Sequence, residues 1–171
     1  MIDAAGAWPL SRKPNVFILG APKCGTTSLW AWLDQHPQAC MSRPKEPWFF
    51  CPDFKPGPRS WTEYAGHFAH LNERHVAIGE ASPRYLMSGV AVDHILDFNP
   101  DARFIVCLRN PVEMAQSRHD QSVYNGHEKI ADFETAWRRE GERLDETSPF
   151  QRYRDTCATG SQGARLMAKV P

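Results

Sequence analysis

The sequence predicts an α/β fold built on an open parallel sheet flanked by helices. Three observations carry this. Residues 16–19 (VFIL), 76–79 and 104–108 are short apolar runs, each followed by glycine, proline or serine breakers and then by a helical pattern. No run of strands without intervening helices occurs, so the connections are crossovers and the strands lie parallel. The polar groups best suited to hold an anion, Lys23 and Arg109, fall directly after the first and third runs, where open sheets of this kind bind ligands.

Residues 1–14 hold Gly6, Pro9 and Pro14 with little periodicity and form a lead-in; residues 15–171 form one α/β domain. After the first strand, the helical pattern places Leu29, Trp32 and Leu33 on one face and stops at Pro37. Residues 38–42 are compatible with a short strand. The proline-rich segment beyond them is an ordered loop, since Trp48, Phe49, Phe50 and Phe54 require burial. Tyr64, Phe68 and Leu71 mark a helix over residues 60–71; its His67 and His70 lack a third ligand, so no metal is expected. Ser88 caps a helix with Val92, Ile95 and Leu96 on its core face, closing at Asn99-Pro100. The run at 104–108 is apolar enough to be covered on both faces. Asn110, Pro111 and Glu113 then open another helix as cap, first residue and capping-box partner. Asp132 starts a helix bearing Phe133, Trp137 and Leu144. A weaker one, marked by Tyr153, Cys157, Leu166 and Val170 and interrupted by Gly160 and Gly163, ends the chain.

Composition narrows the partners. The 171 residues carry 20 basic and 20 acidic side chains, so no global field draws nucleic acid or an anionic membrane; a strongly polyanionic partner is slightly disfavoured too, although a local basic patch could still serve one. The five cysteines include no C-x-x-C pair, which fits reduced thiols and a cytoplasmic location. No segment has the ~18 apolar residues that a membrane span needs, so a soluble, unsecreted protein is expected.

The most informative stretch is GAPKCGTTSL at residues 20–29. Strand, glycine loop and helix start combine unpaired N–H groups, the positive end of a helix dipole and a close backbone approach at Gly25. Thr26, Thr27 and Ser28 add hydroxyls, and Lys23 adds a full charge. A Walker A loop has its lysine directly after the second glycine; Lys23 precedes Gly25 by two residues. The string resembles instead the 5′-phosphosulfate loop of the sulfotransferases, which transfer a sulfuryl group from 3′-phosphoadenosine 5′-phosphosulfate (PAPS) to a hydroxyl or amine.

Three further segments carry the same resemblance. PKEPWFF at residues 44–50 is similar to a segment of the bacterial and heparan-type branch whose glutamate is regarded as the acceptor's base, which implies that role for Glu46 and an acceptor contact for Lys45. GEASPRYL at residues 79–86 resembles the family's segment beside the acceptor cleft and implicates Ser82 and Tyr85, with Ala81 where heparan-type relatives commonly carry lysine. LRNPVEMAQS at residues 108–117 resembles the 3′-phosphate motif, which implies that Arg109 and Ser117 grip that phosphate; arginine's planar fork suits the task. Gln121 matches an acceptor-contacting glutamine, while Arg118 stands where those relatives have aspartate.

Together these imply a P-loop-type fold and a PAPS-dependent sulfotransferase that releases PAP (3′-phosphoadenosine 5′-phosphate) without a metal. Lys23 would be catalytic beside Glu46, while Lys23, Cys24, Gly25, Thr26, Thr27, Ser28, Arg109 and Ser117 would bind the donor. The acceptor is a small molecule, glycan or lipid. A nucleotide kinase of the same fold and an inactive PAPS-binding scaffold are the alternatives. Relatives of this kind continue with a further parallel strand, and nothing after Leu108 supplies a convincing one. The expectation is a partial sulfotransferase lacking C-terminal elements, with an open sheet edge prone to self-association.

Overall fold

The computed structural model describes residues 10–139, apart from 55, 56 and 59; Leu144 and the expected last helix lie outside the described residues. Four strands form one sheet in the order β2-β3-β1-β4: β1 (Val16–Gly20), β2 (Ala39–Met41), β3 (Ala77–Ala81) and β4 (Arg103–Val106). Every pairing is parallel, with Phe17 opposite both Glu80 and Phe104. The segment at 38–42 is thus a strand, and it occupies the edge opposite β4.

Helix α1 (Thr26–Asp34) covers one face of the sheet, where Leu29, Trp30 and Leu33 pack on Ile18, Met41 and Ala81. The expected core position Trp32 is instead 71% exposed. Trp30 takes that place, its indole N–H donating to the Ser42 carbonyl at 3.2 Å, because the contact stripe of this short helix runs through 29, 30 and 33.

The opposite face carries the larger core. Helices α2 (Trp61–Gly66) and α3 (Ala91–Phe98), the loop at 48–54 and a 3₁₀ turn (Pro83–Met87) pack there around Phe17, Phe50, Tyr64, Tyr85 and Ile95. Phe49 stacks on Tyr64 at 4.5 Å and Trp61 on Phe98 at 4.6 Å, contacts worth about 0.5–1.5 kcal/mol each beyond area burial. The helix expected over 60–71 stops at Gly66, and turns complete the span to Leu71. The cap position of α3 is Val90 rather than the expected Ser88, which lies two residues ahead of it; the Ser88 hydroxyl accepts the amides of Val90 and Ala91 from there.

Beyond β4, helix α4 (Pro111–Tyr124) begins at Asn110, whose side chain accepts the Val112 amide, and α5 (Phe133–Arg138) begins at Asp132, which accepts the Thr135 amide. Glu113 does not close a capping box; its carboxylate pairs with Arg109. Because all four strands run the same way, the loops after Gly20, Met41, Ala81 and Val106 leave from one end of the sheet. That end is where the site forms.

Candidate active site

The loop after β1 turns sharply at Gly20, whose φ of +140° and position against the Pro83 carbonyl leave no room for a side chain: a Cβ there would lie 2.3 Å from that oxygen. Gly25 then takes φ +82° as the residue before α1, and a Cβ on it would meet nothing within 4 Å. No side chain caps this helix, so its first amides and the positive end of its dipole open onto free space. Residues 20–28 therefore make a cradle suited to phosphate or sulfate oxygens.

A cleft of about 440 Å³ lies in front of that cradle. Pro22, Lys23, Gly25, Thr26 and Thr27 line it from the β1 loop, Glu46 and Trp48 from the β2 loop, Pro83 and Arg84 from the turn after β3, and Ser117, Arg118 and Gln121 from α4. Lys23 donates to the side-chain oxygen of Gln121 at 3.2 Å, while Gln121 donates onward to Asn125 at 3.0 Å. Lys45 grips one oxygen of Glu46 at 2.5 Å. A concavity of similar size near Leu10 and Phe68 lies away from these groups, and the Arg12 in its wall donates to the His75 and Asn72 carbonyls.

Lys23, Glu46 and Trp48 all have positive φ, between 61° and 65°. Non-glycine residues held there cost about 1–3 kcal/mol each and concentrate at functional sites. Three of them around one cleft show that the surrounding fold holds these side chains in place against a local preference.

Not every residue implicated by sequence reaches the cleft. Ser82 and Tyr85 are fully buried: the Ser82 hydroxyl donates to Glu80 at 2.7 Å and accepts the Trp48 amide at 3.4 Å, while the Tyr85 hydroxyl donates to Glu80 and accepts the Phe50 amide. They support the β2 loop from behind and present no surface to the cleft. Arg109, just ahead of α4, pairs with Glu113 in the first turn of that helix, at 2.9 Å, and does not line the cleft that Ser117 lines. Cys24 and Ser28 lie within the cradle segment but do not line the cleft, and the Cys24 thiol faces the Pro22 carbonyl.

Sequence reasoning missed Glu80 and Arg84. Glu80 is fully buried, accepts hydroxyl hydrogens from Tyr64, Ser82 and Tyr85, and is pushed up to about 7 by burial, with those hydrogen bonds pulling the other way. The signal was a lone carboxylate in an otherwise apolar strand, AIGEA. Arg84 lies over the Trp48 ring, 5.4 Å from its centroid; only its place two residues after Ser82 hinted at the cleft.

Parallel sheet, glycine-headed helix and lysine-bearing loop define an α/β protein of the P-loop type whose strand ends carry a loop suited to an anion. The comparisons with known proteins sharpen that class. The family model described as "Sulfotransferase family" matches residues 14–88. A crystal structure of a sulfotransferase from Alicyclobacillus acidocaldarius superposes with TM-score 0.69 at 33% identity, over 85% of this chain and 64% of that one. The membrane-associated sulfotransferase kil1 of Dictyostelium discoideum is 34% identical over 64% of this chain and 23% of its own length. Mouse heparan sulfate glucosamine 3-O-sulfotransferase 6 is 32% identical over 66% of this chain and 31% of its own. The chain is thus similar to the sulfotransferases in sequence and in fold, and it spans about a quarter to a third of the length of these curated relatives.

Proposed function

We propose that this chain forms the donor cradle and acceptor base of a sulfotransferase that uses PAPS and acts on a hydroxyl or amine of a glycan or small molecule. The observation that carries the reading is the single cleft in which the open start of α1, Lys23 and Ser117 face the carboxylate of Glu46. PAPS supplies the sulfuryl group and a leaving phosphate. The cradle fits its 5′ end, because Gly25 leaves the helix amides open and Thr26 and Thr27 add hydroxyl donors. Ser117 and Arg109 would take the 3′-phosphate, with Arg109 exchanging Glu113 for it.

In the transfer, Glu46 takes the acceptor's proton as its oxygen or nitrogen bonds to sulfur, and the bond from sulfur to the bridging phosphate oxygen breaks. The electron pair stays on that oxygen, where Lys23 and the helix amides neutralise it. Lys45 holds one Glu46 oxygen and leaves the other for the acceptor. The names of relatives such as the heparan sulfate glucosamine 3-O-sulfotransferase and carbohydrate sulfotransferase 15 support a glycan acceptor. A cytoplasmic location is proposed on the free thiols of Cys24, Cys40, Cys51 and Cys107. Calorimetry with PAP, ATP and ADP tests the donor: PAP should bind more tightly than either, and ATP binding equally well would return the chain to the nucleotide kinases.

A further inference from the structure

Two arginines in the cleft have no role in donor binding or proton transfer as described. Arg84 arrives from the turn after β3 and Arg118 from the middle of α4. Among the described residues neither guanidinium has a carboxylate within ion-pair distance. Both line the same cleft, where partial burial, and then the Arg84 charge, lower the Arg118 pKa. The lining holds three cations, Lys23, Arg84 and Arg118, against one carboxylate, Glu46, which Lys45 already pairs. Lys23 belongs to the phosphate cradle, so the uncompensated charge is that of the arginines. Arg84 lies against Trp48, two residues from Glu46, on the side where an acceptor meets its base.

Resting on the sulfotransferase reading above, we propose that the acceptor carries an anionic group, a carboxylate or a sulfate, seated between Arg84 and Arg118 while its hydroxyl or amine meets Glu46. Planar guanidinium forks from two elements bind such a group through paired charge-assisted hydrogen bonds. A neutral acceptor leaves both cations in the cleft without a counter-charge among the described residues. The chain's zero net charge gives no long-range attraction for a polyanion; the selection is local, for one charge at one distance from the reacting atom.

Three sugars sharing one ring test this: methyl β-glucoside, methyl β-glucuronide and methyl β-glucoside 6-sulfate, titrated calorimetrically with and without PAP. At least one charged sugar should bind about tenfold or more tightly than the neutral one, the scale of one charged hydrogen bond. The better of the two identifies the group. In the Arg84→Gln/Arg118→Gln variant the preference should fall below roughly threefold, with PAP and PAPS affinities within about twofold of the parent. Three sugars that bind alike, or not at all, overturn the proposal. So does a preference that survives in the variant, or a loss of PAPS affinity there, which would make the arginines donor ligands. A parent chain that binds no PAP counts against the sulfotransferase reading alone, because the sugar preference is also read without PAP.

Discussion

The carboxylate of Glu80 and the hydroxyl of Ser82 lie 2.7 Å apart with no exposure to solvent, and the same hydroxyl accepts the backbone amide of Trp48. One buried carboxyl group thereby reaches the loop that carries Glu46. Tyr85 makes a parallel link, from Glu80 to the Phe50 amide. The β2 loop is clamped from β3 at two of its amides, and this clamp can hold Glu46 and Trp48 at positive φ.

The clamp should make stability depend on pH in a predictable direction. Glu80 titrates near 4.5 when unfolded and at about 7 when folded, because burial disfavours its charge. The folded state therefore holds the proton more tightly. The group's contribution is fully present below pH 4.5 and is lost as pH rises to about 7. At about 1.4 kcal/mol per pH unit the loss is on the order of 3 kcal/mol. Urea unfolding of the parent and Glu80→Gln at pH 5 and pH 8 measures it: the parent should lose stability relative to the variant between the two. Parallel pH profiles would remove Glu80 as the source.

Gly20 should tolerate no side chain. Its φ of +140°, and the 2.3 Å that would separate an added Cβ from the Pro83 carbonyl oxygen, combine backbone strain with a backbone clash. Gly20→Ala should cost roughly 1–3 kcal/mol or more, read as a lower urea midpoint. Gly25→Ala, strained by φ but unclashed, should cost less. The reverse order would mean that the turn yields more easily than the contact with Pro83 implies.

How much of this was legible in the sequence follows from range. The strands, the cradle at 20–28 and the caps at Asn110 and Asp132 are written in neighbouring residues, through apolar runs, glycine placement and cap chemistry. What the sequence hid depends on contacts between distant segments. Ser82 and Tyr85 sit in a polar-looking string, yet their hydroxyls turn inward to Glu80, which no local pattern encodes. Trp30 and Trp32 fit the helical stripe almost equally, and only the position of α1 over β1 and β2 chooses between them. Arg109 could be placed at a strand end, but its pairing with Glu113 is a choice between partners one turn apart.

That pairing yields a test of the 3′-phosphate assignment. Arg109 and Glu113 are both exposed and i,i+4 on the chain, so their ion pair is worth only about 0.3–0.5 kcal/mol. A charged hydrogen bond to phosphate is worth about 1.5–3 kcal/mol, enough to draw the guanidinium away. Arg109→Ala should weaken PAP binding roughly ten- to hundredfold, while Glu113→Gln should leave it equal or slightly tighter. Equal losses in both variants would show that the ion pair itself is what the cleft needs.

The β4 side of the sheet should favour self-association. Among the described residues β4 has no neighbour beyond it, and Val106 and Leu108 are 42% and 70% exposed. An open apolar edge is a template for pairing. Light scattering of the chain should give a mass above the monomer that Leu108→Lys lowers. A monomer at all concentrations would show that the edge is protected.

The last prediction concerns the base. Glu46 lines the cleft facing the cradle, and Lys45 engages only one of its oxygens. The other nearby candidate, His119, is used elsewhere: its Nε2–H donates to the Ile130 carbonyl at 2.9 Å and its ring packs on Phe133. His119 does not line the cleft. Glu46→Gln preserves shape but cannot accept a proton, so kcat should fall roughly 10²–10⁴-fold while the KM for PAPS barely moves. His119→Gln should leave kcat within about threefold, since loss of a packing contact acts on stability before it acts on proton transfer. A Glu46→Gln enzyme with parental kcat, or one whose KM for PAPS rises in step with the loss, would assign Glu46 to binding and place the proton acceptor on another residue of the cleft.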